Sequence, residues 1–269
     1  MRSALLALLA ASALYPQARK ADWSLPFPPH KVVANVYYVG STQLSSYLIT
    51  TPEGHLLINS SFEETVPVIR AAIEKLGFRF QDVKILLGSH AHGDHMAGNG
   101  LVKELTGARV LVMQGDEEVV AKGTGGRPCK VDQVLKDGDQ VKLGGTVLTA
   151  HHTPGHTKGC TTWGLTAIEN GQAHRVLVYG STNVNPGYIL VNNRDYPGIA
   201  DDYARSFRKL RQLACDIFLA AHPSVYRMEE KHQQLGKGGV NPFIDPDGYR
   251  AFVDAQEKRS LEELEKQKR

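Results

Sequence analysis

The chain reads as an α/β protein in which two β-sheets pack together with helices on the outside. Three observations predict this. Short apolar runs of strand length alternate with amphipathic helical stretches. That succession of strands and helices occurs twice along the chain, with no short repeat or low-complexity tract. The 269 residues, 42% hydrophobic and 22% charged, suit an ordinary globular protein of one large domain or two small ones. The net charge of +3 is small and unclustered, so nothing points to nucleic acid.

The first 18 residues read as a secretory signal peptide. Met1-Arg2 gives a positive start, and 4–14 is an alanine- and leucine-rich run too short to span a bilayer. Ala11-Ser12-Ala13 and Gln17-Ala18 are the cleavage contexts, which places the cut between 13 and 21 and a single domain over 22–269. No other run is long and apolar enough to cross a membrane, so the mature protein is expected in the periplasm without stable membrane association. Export permits disulfides. Cys129, Cys160 and Cys215 allow at most one internal bridge, and no pair has CxxC spacing. Cys215 lies in an apolar run and reads as a buried thiol, which leaves a Cys129–Cys160 bridge open. No heptad seam is evident, so a monomer is expected.

The elements follow in order. After a proline-rich lead-in over 23–30, strands are expected at 32–39, 46–50 and 55–59, with Thr51-Pro52-Glu53-Gly54 as a turn. Residues 65–76 are helical: Val66, Ile69, Ile73 and Leu76 share a face, Pro67 fits the first turn and Gly77 stops the helix. The apolar run 83–87 is a buried strand. A helix at 99–105 stopped by Gly107, a strand at 109–113 and a short helix at 116–122 come next. Gly123 to Pro128 forms a flexible loop near the rim of the site. It lacks the GxxxxGK[ST] spacing of a phosphate cradle. Strands at 133–135, 141–143 and 147–151 precede a hairpin of 161–167 and 175–179 across Glu169-Asn170-Gly171. Ile199, Tyr203, Phe207, Leu210 and Ala214 make one helical stripe, 217–220 a last buried strand, and 249–269 a polar helical tail.

Chemistry concentrates at His90-Ala91-His92-Gly93-Asp94-His95. Gly88 and Ser89 end the strand before it, so these side chains stand at a strand's C-terminal edge, where α/β sheets place their sites. Residues i and i+2 of a tight segment point the same way, so His90 and His92 can converge on one ion. Asp94 and His95, further round the turn, can face a second. Imidazole and carboxylate together suit zinc, with iron and manganese as alternatives. The bland reading is a chance set of loop histidines, but one core rarely satisfies so many unpaired imidazoles. Two more histidines complete the set. His156 lies in the turn Thr153-Pro154-Gly155-His156-Thr157, and His222 ends the strand Leu219-Ala220-Ala221. Of His151, His152 and His156, the Pro-Gly turn aims His156.

With those motifs the chain resembles the metallo-β-lactamase superfamily, and nearly all of the mature chain fits its αβ/βα four-layer sandwich. At Ser181 or Thr182, where glyoxalases, lactonases and nucleases of the superfamily carry a bridging aspartate, this chain offers no charged ligand. The third subclass of class B β-lactamases also lacks one there and uses the loop's final histidine, a role His95 fills. Gly155 to Trp163 and Asn185-Pro186-Gly187-Tyr188 are similar to that subclass's segments. The chain departs from some members at Thr182 and Val184, where serines contact the substrate carboxylate, and it has no cysteine after Cys215 for a C-terminal disulfide.

The resemblance implies two zinc ions per chain, one on His90, His92 and His156 and the other on Asp94, His95 and His222. It implies that they acidify a shared water whose hydroxide opens the β-lactam ring of penicillins, cephalosporins and carbapenems, giving antibiotic resistance. Tyr188 is expected to help stabilise the oxyanion and to contact substrate, Thr182 to contact substrate, and Asp94 to steer a proton to the lactam nitrogen. No serine nucleophile is needed: Ser45 and Ser46 lack a partner constellation and no Ser-x-x-Lys occurs. The competing readings are another hydrolase of the superfamily, acting on a thioester, lactone or phosphodiester, and a zinc-binding protein without catalysis.

Overall fold

The computed structural model describes residues 23–269, so the expected leader and its cleavage sites lie outside the described residues. The first sheet holds β1 (His30–Val33), β2 (Val36–Tyr38), β3 (Tyr47–Thr51), β4 (Gly54–Ile58), β5 (Val83–Leu87), β6 (Arg109–Met113) and β7 (Gln133–Leu135), in that spatial order. It is antiparallel from β1 to β4 and parallel from β4 to β7. Parallel neighbours need crossovers. These contain α1 (Val66–Lys75), then α2 (Gly93–Met96) with α3 (Asn99–Thr106), then α4 (Glu117–Ala121). The second sheet comprises β8 (Gln140–Leu143), β9 (Thr146–His152), β10 (Thr161–Glu169), β11 (Gln172–Tyr179) and β12 (Ile217–Ala220), in reverse spatial order from β12 to β8. There α5 (Ile199–Gln212) makes the crossover to the parallel pair β11–β12, and α6 (Met228–Gln234) and α7 (Pro246–Gln267) follow.

Side-chain alternation sorts these elements into layers. Leu56, Ile58, Ile85, Leu87, Leu111 and Met113 point into the core between the sheets, with Leu148, Trp163, Leu165 and Val178 from the second sheet. Leu57, Leu86, Val110 and Val112 alternate with them and pack against Val66, Ile69, Ile73 and Val102 of the helices outside. The first sheet is therefore apolar on both faces, which explains its uninterrupted Val/Leu/Ile runs. On the far side, Phe218 of β12 packs against Tyr249 and Phe252 of α7, with ring centroids 5.3 and 5.1 Å apart. The result is the expected order of helix, sheet, sheet and helix, with two mixed sheets.

The sequence reading differs from the structure in places. The strand expected at 32–39 is two strands, β1 and β2, paired across Ala34-Asn35. Ala34 takes a left-handed conformation (φ 46°) that carries no glycine signal, held where its N–H donates to Glu169 Oε1 at 3.0 Å. Asn35 Nδ2 secures the turn by donating to Thr50 O at 2.7 Å. The Asn170-Gly171 turn is as expected, both residues having positive φ. Strand β7 joins the first sheet, whereas β8 and β9 begin the second. The helix α6 was not foreseen. No Cys129–Cys160 bridge forms: all three cysteines are free and buried. Cys129 sits in the cluster outside the first sheet, while Cys160 Sγ donates to Ser181 O at 3.3 Å beside the second.

His30 gives a test of packing. It is buried, stacked on Tyr38 and Phe243, and burial pushes its imidazole down to about 4. A histidine with a depressed folded pKa contributes fully above its unfolded value, near 6.5, and loses stability as pH falls toward the folded value. Denaturant unfolding of His30→Phe beside the wild type at pH 7.5 and pH 5 should show the wild type losing about 2 kcal/mol more than the variant on acidification. Equal losses would mean that His30 is solvated.

Candidate metal centre

Four strand ends meet at one edge of the sandwich. β5 delivers the His90–His95 segment, β9 the His156 turn, β11 the stretch from Gly180 to Tyr188, and β12 delivers His222. The two sheets are tied together there. Trp163 Nε1 donates to Gly88 O at 3.0 Å, and Thr161 N donates to Ser89 O at 2.8 Å. The histidine loop rests on buried amides and hydroxyls. Asn59 Oδ1 accepts from Ser89 N at 2.8 Å, and the N–H groups of Ser60 and Ser61 both donate to His95 O at 3.0 Å. The Gly123–Pro128 loop does lie against this segment, but it is pinned. The backbone N–H and guanidinium of Arg127 donate to the Glu63 carboxylate at 2.6 to 3.0 Å. A Cβ on Gly93 would meet Thr124 O at 2.8 Å.

The six expected ligands form two triads. The donor atoms of His90, His92 and His156 lie within 4.8 Å of one another, as do those of Asp94, His95 and His222. His151 and His152 stay out: His151 faces a cavity on the other side of β9, and His152 Nε2 pairs with Lys158 O at 2.7 Å.

Hydrogen bonds fix which nitrogen of each ring is free. His156 Nδ1 donates to Asn183 O at 2.7 Å, and His222 Nδ1 to Gln43 O at 3.1 Å, so each keeps an Nε2 lone pair. His90 Nδ1 contacts Ser89 Oγ at 3.2 Å, while its Nε2 is buried with no partner among the described residues. The Tyr188 hydroxyl donates to His156 O at 2.9 Å and lies 3.3 Å from His92 Nε2, which leaves Nδ1 as the free nitrogen of His92. His95 Nε2 and His222 Nε2 lie 3.2 Å apart, and Asp94 Oδ2 is 3.3 Å from the first and 3.6 Å from the second.

Electrostatics agrees with a cation site. Burial drives His95 and His156 down to about 3 and His90 well below its usual range, with the neighbouring histidines adding to the effect on each. The rings are therefore neutral near pH 7. Burial works to raise the Asp94 carboxyl, but His95, His222 and His92 outweigh it, so Asp94 is ionised. Lone pairs converging at these separations, one of them orphaned in the interior, fit two divalent cations. Nitrogen and oxygen donors without thiolate suit zinc.

Asp116 is the residue that sequence reasoning missed. It stands at the N-cap of α4 but makes no cap bond there. Instead its buried carboxylate accepts from Ala91 N at 2.8 Å, Thr157 Oγ1 at 2.7 Å and Gly159 N at 2.8 Å. It thereby joins the backbone between His90 and His92 to the turn carrying His156. Burial raises its pKa despite those bonds. The signal available in sequence was only its place, just after a strand paired with the one that feeds the histidine loop.

Two further expectations concern substrate contacts. The Tyr188 hydroxyl stands at the first triad, and burial pushes it up to about 12. Thr182 is turned away. It is 1% exposed, and both its N–H and its hydroxyl bond the buried Tyr179 hydroxyl. Among the polar side chains of that stretch, Asn183 is exposed and Asn185 half-buried, and Asn183 Nδ2 donates to Asn185 Oδ1 at 2.6 Å.

The sequence pattern of the metallo-beta-lactamase superfamily matches residues 39–222, and the chain belongs to that superfamily. Among solved structures it is similar to the native FEZ-1 metallo-beta-lactamase from Legionella gormanii, at 46% identity and a TM-score of 0.89, over 91% of this chain and 98% of that one. It is also similar to BJP-1, a subclass B3 metallo-beta-lactamase of Bradyrhizobium japonicum, at 34% identity and 0.86, over 93% and 98%. Curated relatives include the human mitochondrial persulfide dioxygenase ETHE1, 31% identical over 38% of this chain and 35% of that protein. Another is a hydroxyacylglutathione hydrolase of Methylococcus capsulatus, 29% identical over 56% and 50%. The chain thus spans about a third to a half of the length of these curated relatives.

Replacing Asp116 by alanine should weaken one of two bound zinc ions by about 10- to 100-fold and leave the other in place. Competition against a chromophoric chelator measures this. Unchanged affinities, or equal loss at both sites, would deny Asp116 its hold on the first triad.

Proposed function

We propose that the protein is an exported, zinc-dependent β-lactamase that hydrolyses the lactam amide of penicillins, cephalosporins and carbapenems, confers resistance to them, and acts as a monomer in the periplasm. One observation carries this reading. Where the superfamily's thioester, lactone and phosphodiester hydrolases bridge their metals with an aspartate, the chain offers Thr182, its hydroxyl bonded to Tyr179, or Ser181. The Ser181 hydroxyl accepts from Asn183 N at 3.1 Å, and neither residue brings a charge. The second triad is complete without either, and the likeness to FEZ-1 runs over 91% of the chain. Among the described residues no helix is long and apolar enough to cross a membrane.

His90, His92 and His156 would hold one zinc and Asp94, His95 and His222 the other. When bound, the ions supply Lewis acidity and bring the ionisation of water near neutral pH. The chain's own groups do the rest. The buried imidazoles of His90, His95 and His156, neutral near pH 7, hold their lone pairs inward. The Tyr188 hydroxyl, protonated at working pH, can turn from His156 O to donate to the oxygen on which charge develops as the carbonyl is attacked. Hydrolysis adds hydroxyl to the acyl carbon and hydrogen to the ring nitrogen. The Asp94 carboxylate, ionised and 3.3 Å from His95 and 3.6 Å from His222, is the group to carry that proton. The side-chain amides of Asn183 and Asn185, hydrogen-bonded to each other at 2.6 Å and just before Tyr188 in the chain, are the groups we assign to a substrate carboxylate. The partial likeness to a hydroxyacylglutathione hydrolase favours thioester hydrolysis as the second reading.

Purified mature protein should carry about two zinc ions and open a carbapenem ring, lose turnover on chelation and regain it with zinc. His156→Ala should lower turnover at least about 100-fold, and Tyr188→Phe about 10-fold. Thioester turnover with no β-lactam opened would move the assignment to the second reading. Two zinc ions bound with no hydrolysis of either would leave a zinc-binding protein.

A further inference from the structure

The polar C-terminal helix ends on the site. Gln267, the last residue of α7, makes a two-point contact with the segment that carries Tyr188. Its Oε1 accepts from Leu190 N at 2.7 Å, and its Nε2 donates to Tyr188 O at 2.8 Å. One turn earlier, Glu263 Oε1 accepts from the same Nε2 at 3.0 Å, which sets the amide's orientation. Leu190 is buried in the central core, with Leu264 of α7 packed against that cluster, while Ile189 between the two clamped groups is exposed. The remaining ties on this segment are the turn bond from Tyr188 N to Asn185 O and the bond from Asn193 Nδ2 to Ile189 O. On the other side of the backbone, the Tyr188 ring stacks on His156 with centroids 5.8 Å apart, and its hydroxyl reaches the first triad.

We propose that Gln267 is a positioning residue: its side-chain amide clamps the 188–190 backbone and so sets where Tyr188 stands against the first triad. The proposal rests on the lactamase reading for its kinetic arm only. An amide suits the place because one group must donate and accept at once. A carboxylate would face the Tyr188 carbonyl with a second acceptor, and a hydrocarbon would leave both backbone groups unpaired. With the clamp gone, the segment spends part of its time away from the competent position. Tyr188 then donates to the developing oxyanion only for the fraction of time that it stands in place, so kcat and kcat/KM fall together by that fraction. The prediction is therefore a fall in kcat with KM preserved.

The experiment compares Gln267→Leu, Gln267→Glu and the exposed control Lys266→Ala with the wild type, all loaded with zinc. The readouts are amide hydrogen exchange at Leu190, zinc content, melting temperature and the kinetics of carbapenem opening. Both Gln267 variants should keep two zinc ions and melt within about 3 °C of the wild type. Gln267→Leu should speed Leu190 exchange at least about tenfold and lower kcat about three- to fivefold, with KM within a factor of about two. Gln267→Glu, which retains an acceptor for Leu190 N, should protect that amide better than Gln267→Leu but still lower kcat. Lys266→Ala should match the wild type. Unchanged exchange in Gln267→Leu would overturn the clamp. So would loss of zinc, which means general damage, or an unchanged kcat beside faster exchange, which means that the clamp does not set Tyr188. The exchange arm needs no substrate. If the wild type opens no β-lactam, the reaction assignment falls and Leu190 exchange still decides on the clamp.

Discussion

Five imidazoles and a carboxylate cannot be gathered in a protein interior unless something accepts their lone pairs. That constraint organises the edge of the sandwich where β5, β9, β11 and β12 end. Each outward nitrogen that the structure pairs is given a fixed partner: Asn183 O for His156, Gln43 O for His222, the Tyr188 hydroxyl for His92. The inward nitrogens are left facing one another, and burial keeps the rings of His90, His95 and His156 neutral. Two cations would satisfy this arrangement. The supporting groups follow from the same requirement. Asp116, which the ligands never touch through their side chains, fixes the spacing of the first triad through three backbone and hydroxyl donors.

Much of this was legible in sequence because the signals are local. A strand that stops at Gly88-Ser89 and is followed by His-x-His-x-Asp-His announces its chemistry by spacing alone. His156 and His222 stand where strands end, and the Pro-Gly turn separates His156 from His151 and His152. The two-sheet order is written in strands apolar on both faces and helices apolar on one. What stayed hidden depends on contacts between distant segments. Ala34 turns a hairpin without a turn residue's signature because Glu169, far along the chain, receives its N–H. Asp116 begins a short helix and shows its role only when the loops that it bonds are brought beside it. Thr182 sits in the right stretch, yet its side chain goes to Tyr179 in the core, and periodicity does not indicate direction in an irregular segment. Gln267 lies in a tail whose composition suggests only a solvated helix.

The fold supports several hydrolytic chemistries, so the choice among them comes from the site and not from the architecture. The curated relatives and the solved lactamase structures share the superfamily, and the identities alone do not rank their reactions for this chain. The physical distinction lies in charge. With Ser181 and Thr182 neutral and both hydroxyls engaged, Asp94 is the sole carboxylate in the two triads. A pair of dications there would be held by five neutral rings and one negative charge, which would leave it strongly electrophilic. Such a pair suits an amide carbonyl with a poor leaving group, where most of the barrier is charge developing on oxygen and nitrogen.

The central claim is that the two triads are two metal positions. Anomalous scattering above the zinc edge from crystals of the purified protein tests it most directly. The account predicts two zinc peaks, one bounded by His90, His92 and His156 and the other by Asp94, His95 and His222. A single peak, or zinc held by any other set of side chains, would contradict it.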